Sequence, residues 1–410
     1  MEMEITTTAY FVNLAIRSFF QDFVKGDDKI ITCKMHDIVH DFAQLMSENE
    51  CFTIKSDIGL GVDYKNARHL QLELLKNAKF PESIYSAKNL RTFIFVYQGD
   101  YNLSTLFQHF RCLRILTLNC EYRGTLRKVS IVVENFIHLR YLNLVDYCGD
   151  PLPETICNLC NLQILNIKIH HKEIQKFPQG MSKLINLRLL NLDFHSSWLN
   201  VKFPRGFGRL TSLRKLKFFN INGKDDSERC KLGELRNLNH LQGTFQITGL
   251  GSEVDACEAT NAQLKKKINL RTLSLWFDKW DGEEIIREKD ALVLHALEPL
   301  PNLEDLSIGS YRGPTMFPNW MMSLTYLKIL EIWELSLEHL PPLGKLRYVE
   351  SLTIGDMNRL KNVGVEFMGI EEFEKENLEE LEEWNGIGGE EEDCIRFTIM
   401  PRLQHLRIWN

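Results

Sequence analysis

The feature that most constrains this chain is a six-residue pattern that keeps returning. Leu113-x-x-Leu116-x-Leu118 recurs as Leu139-x-x-Leu142-x-Leu144, Leu162-x-x-Leu165-x-Ile167, Leu187-x-x-Leu190-x-Leu192 and Leu213-x-x-Leu216-x-Phe218. It continues through Leu270, Leu303, Leu327 and Val349 and closes on Leu403-x-x-Leu406-x-Ile408; Leu90-x-x-Phe93-x-Phe95 opens it. With degenerate copies at Gln242–Ile247 and Leu378–Trp384 there are about 13 units, mostly about 22 to 29 residues apart. Residues at positions 4 and 6 of a unit lie two apart, so on a strand they share one face. Position 1 enters the same core just before the strand. One unit cannot bury that edge, whereas stacked units make a continuous core.

The return from each strand has its own signature. Leu152-Pro153, Phe177-Pro178, Phe203-Pro204, Phe317-Pro318 and Leu340-Pro341 each precede an apolar residue and then Leu-x-x-Leu. The apolar residue closes the core and the proline fixes the turn. Period and pattern are those of leucine-rich repeats, so the expected fold is α/β: a solenoid with a curved parallel sheet over 89–410. About 33 residues separate Leu270 from Leu303, and the excess, Glu283–Leu297, reads as a helix on the outer side. The regular Asn-x-Leu-x-Gly-x-Ile-Pro pattern and flanking cysteines of secreted solenoids are absent. The last residues form a repeat strand without a return segment or polar cap, so the expectation is a truncated chain or one that continues in a longer form.

Composition narrows the class. The 410 residues are 44% apolar and 25% charged, with net charge −6, which is globular usage. No apolar run is long enough for a membrane helix. Glu2 and Glu4 stand where a secretory signal needs positive charge. Ten scattered cysteines suit reduced thiols in the cytoplasm better than a disulfide framework. The sequon Asn102-Leu103-Ser104 is no more than chance supplies. Twelve acidic residues and one base fall within 371–393, an acidic insertion read as a solvated loop. Elsewhere no basic tract of nucleic-acid type appears; Lys265-Lys266-Lys267 reads as a solvated helix end.

Residues 1–50 lie outside the repeat. Ala9–Phe23 has helical apolar spacing, Gly26–Lys29 a turn, Ile30–Lys34 a strand, and His36–Ser47 an amphipathic helix with Ile38, Phe42 and Leu45 on one face. That is part of a winged helix, and 51–88 reads as a connecting or capping segment. AYFVNLAIRSFFQDF followed by CKMHDIVHDFAQ resembles the winged-helix end of the nucleotide-binding module of plant NLR disease-resistance proteins. Met35-His36-Asp37 matches the MHD motif of that family. FPESIYSAKNLRTF, HLRYLNL, LPETICNLCNLQILNI, FPNWMMSL, LPPLGKL and VGVEFMG are similar to the leucine-rich repeats of its coiled-coil subgroup.

The resemblance implies a nucleotide switch, ADP against ATP, in which His36 contacts the β-phosphate of ADP and Asp37 supports the local geometry. A Walker A loop, G-x-x-x-x-G-K-[ST], is absent from the sequence, so no cofactor is expected for the chain as given. The resemblance also implies an immune receptor portion. Its repeats would recognise a pathogen effector or an effector-modified host protein and restrain the switch. The repeat physics alone supports a protein-binding module; a repeat-only adaptor or decoy and an inactive truncated chain are the other readings.

Catalytic and metal chemistry find little footing, and an enzyme is not expected. His36-Asp-Ile-Val-His40 departs from a zinc helix by an Asp in place of Glu and lacks a third ligand. Cys157-x-x-Cys160, upstream of His170-His171, sits inside a return segment, where buried thiols are the better reading. In Gly309-Ser310-Tyr-Arg-Gly313 the serine directly follows the first glycine, unlike a nucleophile elbow.

Partner binding falls to the concave face, where positions 3, 5 and 7 of each unit point. The candidates are Tyr141, Lys168, Lys215, Lys217, Phe219, Trp276 and Trp333, with Asn143, Asn166, Asp305 and Glu331 among them. At position 2, Arg91, Arg114, Arg140, Arg188, Arg214, Arg271 and Lys328 form a basic edge, whose early part is expected to dock an acidic face of the nucleotide-binding module.

Overall fold

The computed structural model of the chain describes residues 2–26, 29–55, 62–76, 78–99, 101, 103–120, 136–145, 152–169, 176–194, 201–221, 230–251, 254–277, 288–313, 318–334, 343, 346–355, 374–375 and 402–408. Helix α1 (Glu2–Ile16) stops earlier than its apolar spacing suggests. Ser18 takes a left-handed conformation at φ 61°. The amide of Phe19 bonds back to Leu14 and that of Ser18 to Ala15, closing the last turn. Phe20–Phe23, expected to stay helical, instead open β1 (Phe20–Gly26), paired antiparallel with β2 (Lys29–Met35). Aromatic and β-branched residues suit this hairpin better than a helix continued past Ser18. Helix α2 (Asp37–Ser47) follows, within one residue of its expected start. Its apolar face is not buried: Ile38, Phe42, Leu45 and Met46 are all more than 60% exposed.

The repeats then stack as the spacing requires. β3 (Cys51–Lys55), β4 (His69–Leu74) and β5 (Thr92–Tyr97) pair in parallel. A short helix, α3 (Leu103–His109), precedes β6 (Ile115–Cys120), β7 (Tyr141–Val145), β8 (Ile164–Ile169), β9 (Leu189–Phe194) and β10 (Lys215–Leu216), which complete an eight-stranded sheet in chain order. The sheet thus reaches two strands back into 51–88. A second eight-stranded sheet starts one residue later. It holds β11 (Phe218–Asn220) and β12 (Gln242–Leu250), then after α4 (Ala256–Asn261) β13 (Asn269–Phe277). After α5 (Glu288–Ala296) come β14 (Asp305–Gly309), β15 (Ile329–Trp333) and β16 (Ser351–Gly355); β17 (Glu374–Lys375) lies outside β18 (His405–Ile408) at the far edge. α5 falls within the expected outer helix. Of the acidic insertion only β17 lies among the described residues, and the copy at Leu378–Trp384 lies outside them.

Position-1, -4 and -6 residues make the core. Leu113, Leu116, Leu118, Leu162, Leu165, Leu303, Leu306 and Ile308 are all 2% exposed or less. Each such side chain contributes roughly 1.5–3 kcal/mol of burial. In the return segments Pro81, Pro153, Pro178 and Pro318 stand at the start of 3-10 turns, with Ile84, Ile156, Met181 and Met321 buried in them. Asparagines just before position 1 tie units together: Asn161 donates to the Ile137 carbonyl at 2.7 Å and Asn186 to Cys160 at 2.9 Å.

Candidate functional site

His36 sits where β2 turns into α2, as the N-cap residue with extended backbone. Its amide bonds to the Phe19 carbonyl at 2.9 Å, so the turn is held by the residue just before β1. Its ring is half-buried, and Nδ1 is enclosed without a hydrogen-bond partner among the described residues. Met35 and Asp37 on either side are exposed. One imidazole with an enclosed nitrogen does not make a nucleotide site, because the backbone amides of a P-loop do most of the phosphate cradling. The residues present therefore do not by themselves fit ADP or ATP.

The basic edge is built by the sheet. From Arg68 to Arg188 the position-2 carbonyl accepts two amides from the next unit: Arg91 O takes Arg114 N at 2.8 Å and Ile115 N at 3.0 Å, and Arg114 O takes Arg140 N and Tyr141 N likewise. Side chains at this position are thus held about 4.8 Å apart along the stack. On the first sheet the column reads Arg68, Arg91, Arg114, Arg140, Gln163, Arg188, Arg214. Arg91, Arg114 and Arg140 are exposed. Among the described residues no carboxylate pairs with these three, whereas Arg68 meets Glu50 at 3.4 Å. Asn66, Arg68, Asn89, Arg91 and Arg114 help line a groove of about 460 Å³ along this edge. Arg68 was missed in the sequence. Its signal is Ala67-Arg-His-Leu70-Gln-Leu72, a repeat copy with alanine at position 1. On the second sheet the column turns mixed, and Arg271 pairs with Glu304 at 2.6 Å.

The concave candidates fare unevenly. Tyr141 is half-buried and its hydroxyl accepts from Asn166 Nδ2 at 3.1 Å. Lys168 is half-buried between Val145 and Asp193 on the neighbouring strands; Lys215 and Lys217 are exposed. Phe219, expected on this face, is fully buried. The strand alternation breaks at Lys217, where one sheet ends and the next begins, so that both Phe218 and Phe219 turn inward. Their rings pack on Phe203 at 5.9 and 5.3 Å. Burying both aromatics is worth more than keeping the period. Trp276 and Trp333 are half-buried on the concave side of the second sheet.

Burial pushes the Cys157 thiol up to about 12, helped by the Glu154 carboxylate, while Cys160 is exposed. His170 and His171 lie outside the described residues. Among the described residues no helix is long and apolar enough to cross a membrane.

Comparison with known proteins matches this architecture. Residues 89–410 match the family described as leucine-rich repeat region, and residues 1–43 match the disease resistance protein winged helix domain. A putative disease resistance protein of Arabidopsis thaliana is 32% identical over 96% of the chain, which covers 27% of that protein. The putative disease resistance protein RGA1 of Solanum bulbocastanum is 32% identical over 86% of the chain and 32% of its own length. The disease resistance RPP13-like protein 1 of Arabidopsis thaliana is 27% identical over 97% of the chain and 39% of its own length. Among solved structures, a leucine-rich-repeat protein of Leptospira interrogans aligns with TM-score 0.48 and 21% identity, covering 73% of this chain and 68% of that one. The chain thus spans between about a quarter and two-fifths of the length of these curated relatives. With a winged-helix segment leading into a leucine-rich-repeat region, it belongs to the plant NLR disease-resistance family.

Proposed function

We propose that this chain is the sensing and restraining part of a plant immune receptor. The observation that carries the reading is the arginine column of the first sheet. Like charges about 5 Å apart repel by roughly 1 kcal/mol even in water. An acidic surface laid along Arg91, Arg114 and Arg140 would relieve that repulsion, and the nucleotide-binding module of the longer family members is the partner proposed. The exposed apolar face of α2, with Phe42 and Leu45, adds a second contact for the same module, in which His36 would regain a phosphate to meet. ADP or ATP would belong to that module. The concave face would recognise a pathogen effector or a host protein altered by one, in the cytoplasm. Such a ligand releases the switch only if it binds the undocked solenoid more tightly than the docked one.

The test is charge reversal of Arg114, Arg140 and Lys215 to glutamate in a full-length relative carrying the equivalent residues. Loss of docking raises defence signalling in the absence of any pathogen. Unchanged resting activity would remove the docking role.

A further inference from the structure

On the second sheet, position 7 of successive strands reads Trp276, Gly309, Trp333, Gly355, in register from β13 to β16. A β carbon added at Gly309 would come 2.3 Å from the six-membered ring of Trp276, and one at Gly355 2.4 Å from that of Trp333. Each indole therefore occupies the space over the glycine of the next strand, and each keeps part of its surface open. The two tryptophans stand two strands apart, about 10 Å.

Carboxylates stand along the same strands: Glu334 next to Trp333, Glu331 two residues before it and Asp305 four residues before Gly309. Asp305, at position 3 of β14, accepts from Thr272 Oγ1 at 2.9 Å. Glu331, at position 5 of β15, accepts from Ser307 Oγ at 2.9 Å. Glu334, just past β15, accepts from Ser310 Oγ. The side-chain hydrogen bonds these three make among the described residues come from neutral hydroxyls, which position the carboxylates without cancelling their charge. Cations lie at the margins of this face: Arg271, paired with Glu304, and Lys328 at the position-2 edge, Arg407 two strands beyond Glu331 in the same row, and Arg312, buried just past β14.

We propose that this face docks an extended, arginine- or lysine-bearing segment of a partner protein, with its cations on Trp276 and Trp333 near Glu331 and Glu334, and with Asp305 about 13 Å back along the strands to draw the segment in. This rests on the recognition reading above and names the chemistry recognised. An indole face attracts a cation, and most of all one drawn out of water. Arginine suits the site best, because its planar group stacks on the ring and bonds carboxylates in pairs. An acidic segment would be repelled, and a purely apolar one would strip water from three carboxylates for nothing. A polyproline II segment rises about 3.1 Å per residue with three residues per turn, which puts residues i and i+3 on one side about 9 Å apart. That span matches the two tryptophans, so the recognised spacing is Arg-x-x-Arg.

The test uses the 410-residue chain and fluorescein-labelled, proline-rich nonapeptides carrying arginine, glutamate or leucine at i and i+3. Fluorescence anisotropy is expected to show saturable binding of the arginine peptide at least tenfold tighter than either counterpart, weakening as NaCl rises from 50 to 300 mM. Glu331→Gln, which keeps the acceptor for Ser307, and Trp333→Phe are each expected to weaken it by fivefold or more with unchanged circular dichroism. No arginine-peptide binding up to millimolar concentration, equal binding of the leucine peptide, or variants that bind like the parent would overturn the proposal. Any of these leaves the restraint reading intact, because Arg114, Arg140 and Lys215 lie on the other sheet. Unchanged resting activity in the charge-reversed receptor would, conversely, leave peptide binding standing.

Discussion

Lys267 stands where other units carry a buried leucine. It follows a 3-10 turn, and its amide bonds back to Leu264 as those of Leu159, Leu184 and Leu210 bond within their own turns. The sequence reads Lys265-Lys266-Lys267 as a solvated end; Lys265 and Lys266 are exposed, but Lys267 is 1% exposed. Its Nζ donates to the Leu235 carbonyl at 2.8 Å and to Asn239 Oδ1 at 3.4 Å. Burial, and then the charge of Lys266, bring its pKa down to about 8. An unfolded lysine titrates near 10.4. Between about pH 8 and 10 the unfolded chain therefore holds the extra proton, and stability from this group rises with pH. Urea unfolding at pH 7 and pH 10 is expected to move the difference between the parent and Lys267→Met by about 1–3 kcal/mol toward the parent at pH 10. A difference that does not change with pH would place the amine in water. Phe219 and Lys267 share a cause: a residue's type suggests its exposure, but the slot it occupies in the stack decides it.

Return turns are tied to one another by carboxylates. Glu234 accepts from the amides of Gly206 and Gly208, both at 2.9 Å, and Glu154 accepts from those of Gln179 at 2.9 Å and Gly180 at 3.2 Å. In both cases one unit's turn caps the first amides of its neighbour's, groups with no partner inside so short a turn. Glu234→Ala is expected to cost about 1–3 kcal/mol in urea unfolding. Gly208→Ala is expected to cost a similar amount, since its β carbon would meet the Glu234 carbonyl at 2.4 Å. The double variant should lose less than the two losses added, because the shift that Gly208→Ala forces against the Glu234 backbone already loosens the Gly208 amide's bond to the Glu234 carboxylate. Full additivity would show two independent effects. Such ties join residues about 26 apart, and nothing in the local spacing marks them. Elements longer than a turn were more legible. The repeat strands followed from Leu-x-x-Leu-x-Leu, and α2 from its 3.6-residue apolar spacing. α3 and α4, of seven and six residues, are too short to show a period.

The whole molecule divides at Lys217, where the first sheet ends and the second begins. In a stacked array stability is close to a sum over units and their interfaces, so damage spreads mainly to neighbours. Leu165→Ala, in the middle of the first sheet, is expected to cost about 2–5 kcal/mol. Hydrogen exchange read by mass spectrometry should then rise in β6 to β9 well before it rises in β13 to β16. Equal acceleration in both sheets would mean that they unfold as one unit. By itself the sequence determined the solenoid, the parallel pairing of successive strands from β5 to β9 and from β13 to β16, and the core positions, because in a stacked fold each unit buries its edge on the next unit along the chain. It also marked Met35-His36-Asp37, a contiguous motif. Tertiary structure alone decided that Phe219 turns inward, that Lys267 is buried and that Trp276 lies over Gly309. Each of these depends on the register between strands about 23 to 33 residues apart, and a single bulge shifts that register while leaving the period of the leucines unchanged.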